Sequence, residues 1–185
     1  MNIQECTEAI RTKVGDNSGL AGGYGEFWHW DGASWTDITA PTAEPICMEV
    51  LDTGAGPALY VGGSFTQWNG LAGTLNTFYI AKWDGSAWSA LGNGALHAVR
   101  ALCVHDDGSG ARLFVAGTLS NAGGTSVANI ASWDGASWSD VPGGGANGAI
   151  VALCVHDDGR GPALYVGGTF SAIGGITAYK LARFD

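Results

Sequence analysis

One feature constrains this chain more than any other: it repeats itself. Trp30-Asp31-Gly32, Trp83-Asp84-Gly85 and Trp133-Asp134-Gly135 recur, and Phe184-Asp185 falls at the same phase, at steps of 53, 50 and 51 residues. A second Trp follows each triplet, at Trp35, Trp88 and Trp138. Further on come apolar runs with a cysteine, around Cys47, Cys103 and Cys154. After these stand Leu59-Tyr60-Val61-Gly62-Gly63, Leu113-Phe114-Val115-Ala116-Gly117 and Leu164-Tyr165-Val166-Gly167-Gly168. Several landmarks kept in order over three periods mean one supersecondary unit reused, with its apolar faces buried against its neighbours.

Each period reads as four short strands, because runs rich in Val, Leu and aromatics are bounded by Gly, Asp and Asn clusters. In the second full period these are Val99–His105, Arg112–Gly117, Asn129–Trp133 and Ser137–Val141. The last two form a hairpin through Asp134-Gly135-Ala136-Ser137, where Asp starts the turn and Gly tolerates a positive φ. Trp133 and Trp138 flank that turn and should face each other as a cross-strand pair. The repeated tryptophans are thus better explained as hairpin staples than as sugar-stacking platforms.

A period of about 50 residues with four strands is the signature of a propeller blade. The order of an inner apolar strand, Tyr-Val-Gly-Gly, an aromatic third strand and a fourth-strand Trp resembles the kelch repeat. Gly62-Gly63 and Gly167-Gly168 match its glycine pair, and Ala116-Gly117 departs by one residue. The chain uses Trp-Asp-Gly where Tyr-Asp is usual in kelch, and there it looks like the long repeat arrays of bacterial surface and secreted proteins. The resemblance covers residues 27 to 185. It implies an all-β fold, a β-propeller of four-stranded antiparallel blades of about 51 residues, incomplete in one chain. It implies no activity, since such folds host both binding proteins and enzymes.

The expected organisation is an N-terminal helix or loop segment at 1–25, a partial blade of outer strands at 26–44, and full blades at 45–94 and 95–147. A blade lacking its outermost strand follows at 148–185. Ile3, Cys6, Ile10 and Val14 are spaced as on a short amphipathic helix, with a remnant strand as the alternative. Propellers ordinarily have four to eight blades, and fewer leave edges and apolar faces open. Either the chain is part of something longer or copies complete one another. The expected partner is therefore a second copy of the chain, a homodimer that completes the ring.

Composition narrows the function classes. Of 185 residues 31 are Gly, only 14% are charged, and 8 Lys+Arg against 17 Asp+Glu leave a formal charge of −9. No nucleic-acid partner is expected for so acidic a chain, because phosphate binding needs clustered cations. No apolar run is long enough for a membrane-spanning helix, and no membrane association is expected. Met1 to Cys6 show neither a basic nor an apolar leader region, so no signal peptide is expected. Cytoplasmic and extracellular locations both stay open.

Several motifs invite chemistry. Gly143-Gly144-Gly145-Ala146-Asn147-Gly148 matches G-x-G-x-x-G, but a strand rather than a helix should follow it, so it reads as an inter-blade loop. Cys103-Val104-His105 and Cys154-Val155-His156 have the inventory of a zinc site. Blade symmetry points the two sets the same way around the ring, so tetrahedral convergence is not expected. Cys47, Cys103 and Cys154 read as small core residues with no disulfide among them, while the role of Cys6 stays open. Asp106-Asp107-Gly108 and Asp157-Asp158-Gly159 read as turn formers rather than calcium loops or a glycosidase acid pair, because too few oxygen ligands are visible and the pairs repeat in register. No metal and no cofactor are expected.

Function is sought instead where the repeats disagree, on the loops of one propeller face. There Trp68 and Asn69 stand out, with Glu44 and His97. Trp68 has Ala122 and Ala172 at the matching positions; it reads equally as a ligand-stacking platform or as a plug over the blade edge. The expected function is a non-catalytic recognition or scaffold module that binds protein or carbohydrate on the loop face. The alternative is a glycoside-acting hydrolase with carboxylates at the channel mouth.

Overall fold

The computed structural model describes residues 28–30, 33–37, 41–70 and 73–184. The helix expected over the first fourteen residues and the loop after it lie outside the described residues. Those described form an all-β structure without helix, made of antiparallel sheets of two to four strands.

Three sheets carry the repeat. The first orders Pro45–Asp52, Pro57–Gly63, Ile80–Trp83 and Trp88–Ala90 side by side. The second orders Val99–His105, Arg112–Gly117, Ile130–Trp133 and Trp138–Ser139. The third has Ile150–Asp157, Pro162–Gly168 and Leu181–Phe184, with no fourth strand among the described residues. A separate hairpin pairs Trp28–Trp30 with Trp35–Asp37.

The registers repeat as faithfully as the sequence. Trp30↔Trp35, Trp83↔Trp88 and Trp133↔Trp138 are directly opposed pairs. The rings of Trp133 and Trp138 lie 5.2 Å apart, and those of Trp83 and Trp88 5.3 Å apart. Asp134 closes its hairpin by accepting the Ala136 and Ser137 N–H groups on Oδ1 and the Ser137 hydroxyl on Oδ2. Asp84 does the same work with Ser86 and Ala87. Three backbone and hydroxyl donors around one exposed carboxylate explain why Asp recurs there.

The register also refines the alignment. Glu49, Cys103 and Cys154 are the inner-strand residues opposite Tyr60, Phe114 and Tyr165. Cys47 lies two residues earlier, opposite Gly62, so the cysteines are not one equivalent set.

Between sheets, apolar faces interlock. Ile80 and Tyr60 of the first sheet pack with Leu102, Leu113, Val115 and Trp133 of the second. The opposite face of the second sheet, with Cys103, Phe114, Ala116 and Ile130, packs with Ile150, Leu164 and Val166 of the third. The first junction is tight enough that a Cβ on Gly62 would overlap Val99 and Cys47. A hydrogen bond ties the same junction, Trp138 Nε1 donating to the Leu91 carbonyl at 2.8 Å.

The connections expected as plain loops between second and third strands carry short hairpins. These are Gln67–Gly70 with Gly73–Asn76, Asn121–Ala122 with Thr125–Ser126, and Ala172–Ile173 with Ile176–Thr177. Each also touches the preceding inter-sheet connection, through Pro41↔Trp68, Ala95↔Ala122 and Ala146↔Ile173.

Candidate functional site

The four residues singled out on the loops separate into two kinds. Trp68 is fully buried, at 0% exposure. Its ring sits 3.9 Å from that of Trp88 and edge-on to Phe65 at 5.1 Å. The three bridges to the preceding connection make Trp68, Ala122 and Ile173 the equivalent positions, in place of Ala172. All three are buried. Trp68 is thus the large version of a plug that every repeat carries, and in this arrangement its ring offers no face to a ligand. Asn69, Glu44 and His97 are exposed. Asn69 bonds the Thr74 hydroxyl, and His97 Nδ1 lies 3.5 Å from Ser120 Oγ. Among the described residues no hydrogen bond or ion pair joins Asn69, Glu44 and His97 to one another.

The opposite end of the sheets, where first strands turn into second strands, holds a different constellation. The leading Asp of each turn is structural. Asp52, Asp106 and Asp157 each accept two backbone N–H groups on Oδ1, from Gly54 and Gly56, Gly108 and Gly110, and Gly159 and Gly161. Those glycines all have φ between 94° and 113°, a region L-residues avoid. This is a turn built by one carboxylate, and it accounts for the Asp-Gly repeats without any ion. The residues beside that frame differ between repeats. Position four of the turn is Ala55, then Ser109, then Arg160.

Here an open depression of about 430 Å³ is lined by His105, Asp106, Asp107, Arg160, Pro162 and Arg183, between the second and third sheets. His105 is 6% exposed, its ring beside Phe114, and its Nε2 is buried with no hydrogen-bond partner among the described residues. Such an orphaned imidazole nitrogen forfeits about 1–3 kcal/mol of desolvation unless something bonds it.

Charges around it are fixed by local bonds. Asp107 accepts from the Ser109 hydroxyl and N–H, which hold its carboxyl below the usual carboxylate range. Asp158 accepts from the Arg160 guanidinium and the Tyr165 hydroxyl and lies 3.8 Å from Arg183 Nε. Arg160 foremost, then Tyr165 and Arg183, drive its carboxyl well below the ordinary value. Asp106 and Asp107 each bond their own turn through Oδ1. The lining balances two guanidinium cations against two carboxylates.

Cysteine and histidine do not assemble a metal centre: no group of three or more His, Cys, Asp or Glu side chains with metal-binding geometry exists among the described residues. Burial pushes the Cys47 thiol up to about 12 and the Cys103 thiol to about 11, the latter helped by Glu49 and Cys154. Both are free thiols, as is the exposed Cys154. No helix of the described residues is long and apolar enough to cross a membrane.

Comparison with known proteins finds no matching family, no matching curated protein and no matching solved structure.

Proposed function

We propose that this chain is a non-catalytic recognition module built from β-propeller blades, and that it binds a neutral carbohydrate in the cleft between the second and third sheets. The propeller reading is supported by three repeats in one register, stacked face to face in chain order. The carbohydrate reading is carried by one observation, the buried His105 Nε2, without a hydrogen-bond partner among the described residues, in a cleft lined by two guanidinium and two carboxylate groups.

A hydroxyl both donates and accepts, so it satisfies His105 in either tautomer. Asp106 and Asp107 supply acceptors and Arg160 supplies fixed donors, the pattern that adjacent sugar hydroxyls need. The balanced lining gives neither a phosphate nor a free cation an advantage. Pro162 adds an apolar surface for the sugar's C–H face. The hydrolase alternative is less well supported, because a glycosidase general acid needs a raised pKa, whereas Asp107 and Asp158 are both pulled down.

A glycan array followed by titration calorimetry, run beside a panel of chromogenic glycosides, tests this. Binding without turnover is expected, and Arg160→Ala, on an exposed turn, should weaken it about tenfold, equivalent to ~1.4 kcal/mol. Turnover of any glycoside would make the chain an enzyme. Unaltered affinity in Arg160→Ala would move the site, with Asn69, Glu44 and His97 as the next surface to vary.

A further inference from the structure

The two turns that border the cleft use the same clip on different side chains. In the turn of the second sheet, Asp107 Oδ1 accepts the N–H and the hydroxyl of Ser109, two residues on. In the turn of the third sheet, Asp158 accepts the N–H of Arg160, also two residues on, and then its guanidinium. The first repeat has Thr53 and Ala55 at these positions and can form neither clip. A guanidinium carries five N–H donors in a planar fork, so one clip does not exhaust it. The side used is that of Nε and Nη2, which donate to Asp158 Oδ1 and Oδ2. The end of the fork, Nη1 with the second Nη2 hydrogen, has no hydrogen bond among the described residues.

An exposed ion pair by itself orders an arginine poorly, because the long side chain loses rotamer entropy for a screened attraction. Here the pair is two-pronged, which fixes orientation as well as distance. The carboxylate is itself held: the Tyr165 hydroxyl donates to Asp158 Oδ2 at 3.0 Å, and Arg183 Nε lies 3.8 Å from the same oxygen. Tyr165 stands in the middle strand of its sheet, opposite Cys154 on one side and Arg183 on the other. The clip is thereby tied to a rigid element and not only to its own turn. The second sheet has Phe114 at the matching position, without a hydroxyl.

On the facing wall, Asp106 and Asp107 accept their turn bonds on Oδ1, so each keeps Oδ2 as an acceptor. A two-donor edge on one wall and acceptors on the other fit a group with two adjacent oxygens that each carry a hydrogen. We propose that the group read in this cleft is a vicinal diol of a sugar ring, its oxygens accepting from the end of the Arg160 fork and its hydrogens going to the Asp106 and Asp107 wall. Asp158 and Tyr165 are positioning residues that aim the fork without touching the ligand. The inference rests on the carbohydrate reading and adds which part of the sugar is recognised. The two oxygens must be gauche, so cis and trans-diequatorial pairs qualify and a trans-diaxial pair does not. A carboxylate also matches an arginine fork, but it brings no hydrogens for Asp106 and Asp107, and their charges repel it.

Arginine side-chain nitrogen-15 spectra test this, with methyl glycosides of mannose, galactose, glucose and glucuronic acid titrated at millimolar concentrations. The free protein should show a sharp Arg160 Nε–H signal that broadens in Tyr165→Phe and Asp158→Asn, while backbone amides away from the turn keep their positions. At least one neutral glycoside should shift that signal, and removing either hydroxyl of one adjacent pair should weaken its binding about tenfold. Arg160→Lys keeps the charge but not the fork, and should lose as much affinity as Arg160→Ala. Tyr165→Phe should weaken binding roughly threefold in the wild type and not at all in Arg160→Ala, whereas a residue that merely stabilises the sheet weakens both alike. Full affinity in Arg160→Lys, equal losses from Tyr165→Phe in both backgrounds, or tighter binding of the glucuronide than of the glucoside would each overturn the diol assignment and leave a sugar site standing. Binding of none of the glycosides would overturn the carbohydrate reading itself, and the diol with it.

Discussion

Trp68→Ala separates a packed plug from a ligand platform. Trp68 is completely enclosed, against Trp88 at 3.9 Å and Phe65 at 5.1 Å. Truncating a buried Trp to Ala costs about 3–5 kcal/mol, from lost transfer energy and the cavity left behind. The neighbours are themselves rings, held by Leu59, Val61 and Ala81, so the gap should not collapse fully. For a domain of 150–250 residues each kcal/mol moves the melting midpoint by about 2–4 °C. A fall of roughly 6–20 °C is therefore expected in a calorimetric or circular-dichroism melt, scanned at one protein concentration for both forms. Trp68→Phe should recover more than half of it, because the contact with Trp88 is one of shape. A shift below ~2 °C in Trp68→Ala would refute the reasoning and restore Trp68 as a candidate anchor.

Further outcomes follow from single contacts. Trp138→Phe should cost about 1 kcal/mol, one net hydrogen bond, by losing the Nε1 donation to Leu91, and equilibrium urea unfolding reads it. Asp134 is lowered to about 2 by the Ser137 and Ala136 N–H groups and then the Ser137 hydroxyl, from an ordinary value of 3.8. Because the folded value is the lower one, its contribution is complete above about pH 4 and is lost as pH falls toward 2; the acid-unfolding profile of Asp134→Asn should lack that increment. Lys180 has φ 67° where the second repeat has Asn129 at 68°, so Lys180→Asn should raise stability by about 0.5–1 kcal/mol in the same urea assay. Cys47 and Cys103, with thiols at about 12 and 11, should resist iodoacetamide at pH 8 until the chain unfolds, and labelling of either in the native state would contradict their burial.

The strands were legible because the repeat supplies three readings of each one. Val99–His105 and Arg112–Gly117 appear where alternation and turn residues place them, and the Trp pairs oppose each other as the four-residue turn requires. The short hairpins in the long connections were not legible, since two-residue strands such as Asn121–Ala122 have no periodicity to detect. Trp68 looked singular because a one-residue slip set it against Ala172; the bridge between Ala146 and Ile173 reveals the true equivalent. The cleft was half visible. Asp106-Asp107 and Asp157-Asp158 drew attention as turns, but the Ala55, Ser109, Arg160 series broke the repeat at that end and was the signal to follow. That Arg183, far along the chain, joins them depends on the packing of the third sheet and is not written in any local pattern.

The most direct test of cleft recognition is a map of amide shifts in isotopically labelled protein titrated with the best glycan from the array. Perturbations should centre on residues 105–109 and 158–162, with the side-chain signals of His105 among them. Perturbations confined to the connections around Glu44, Asn69 and His97, at the opposite end of the sheets, would contradict the account.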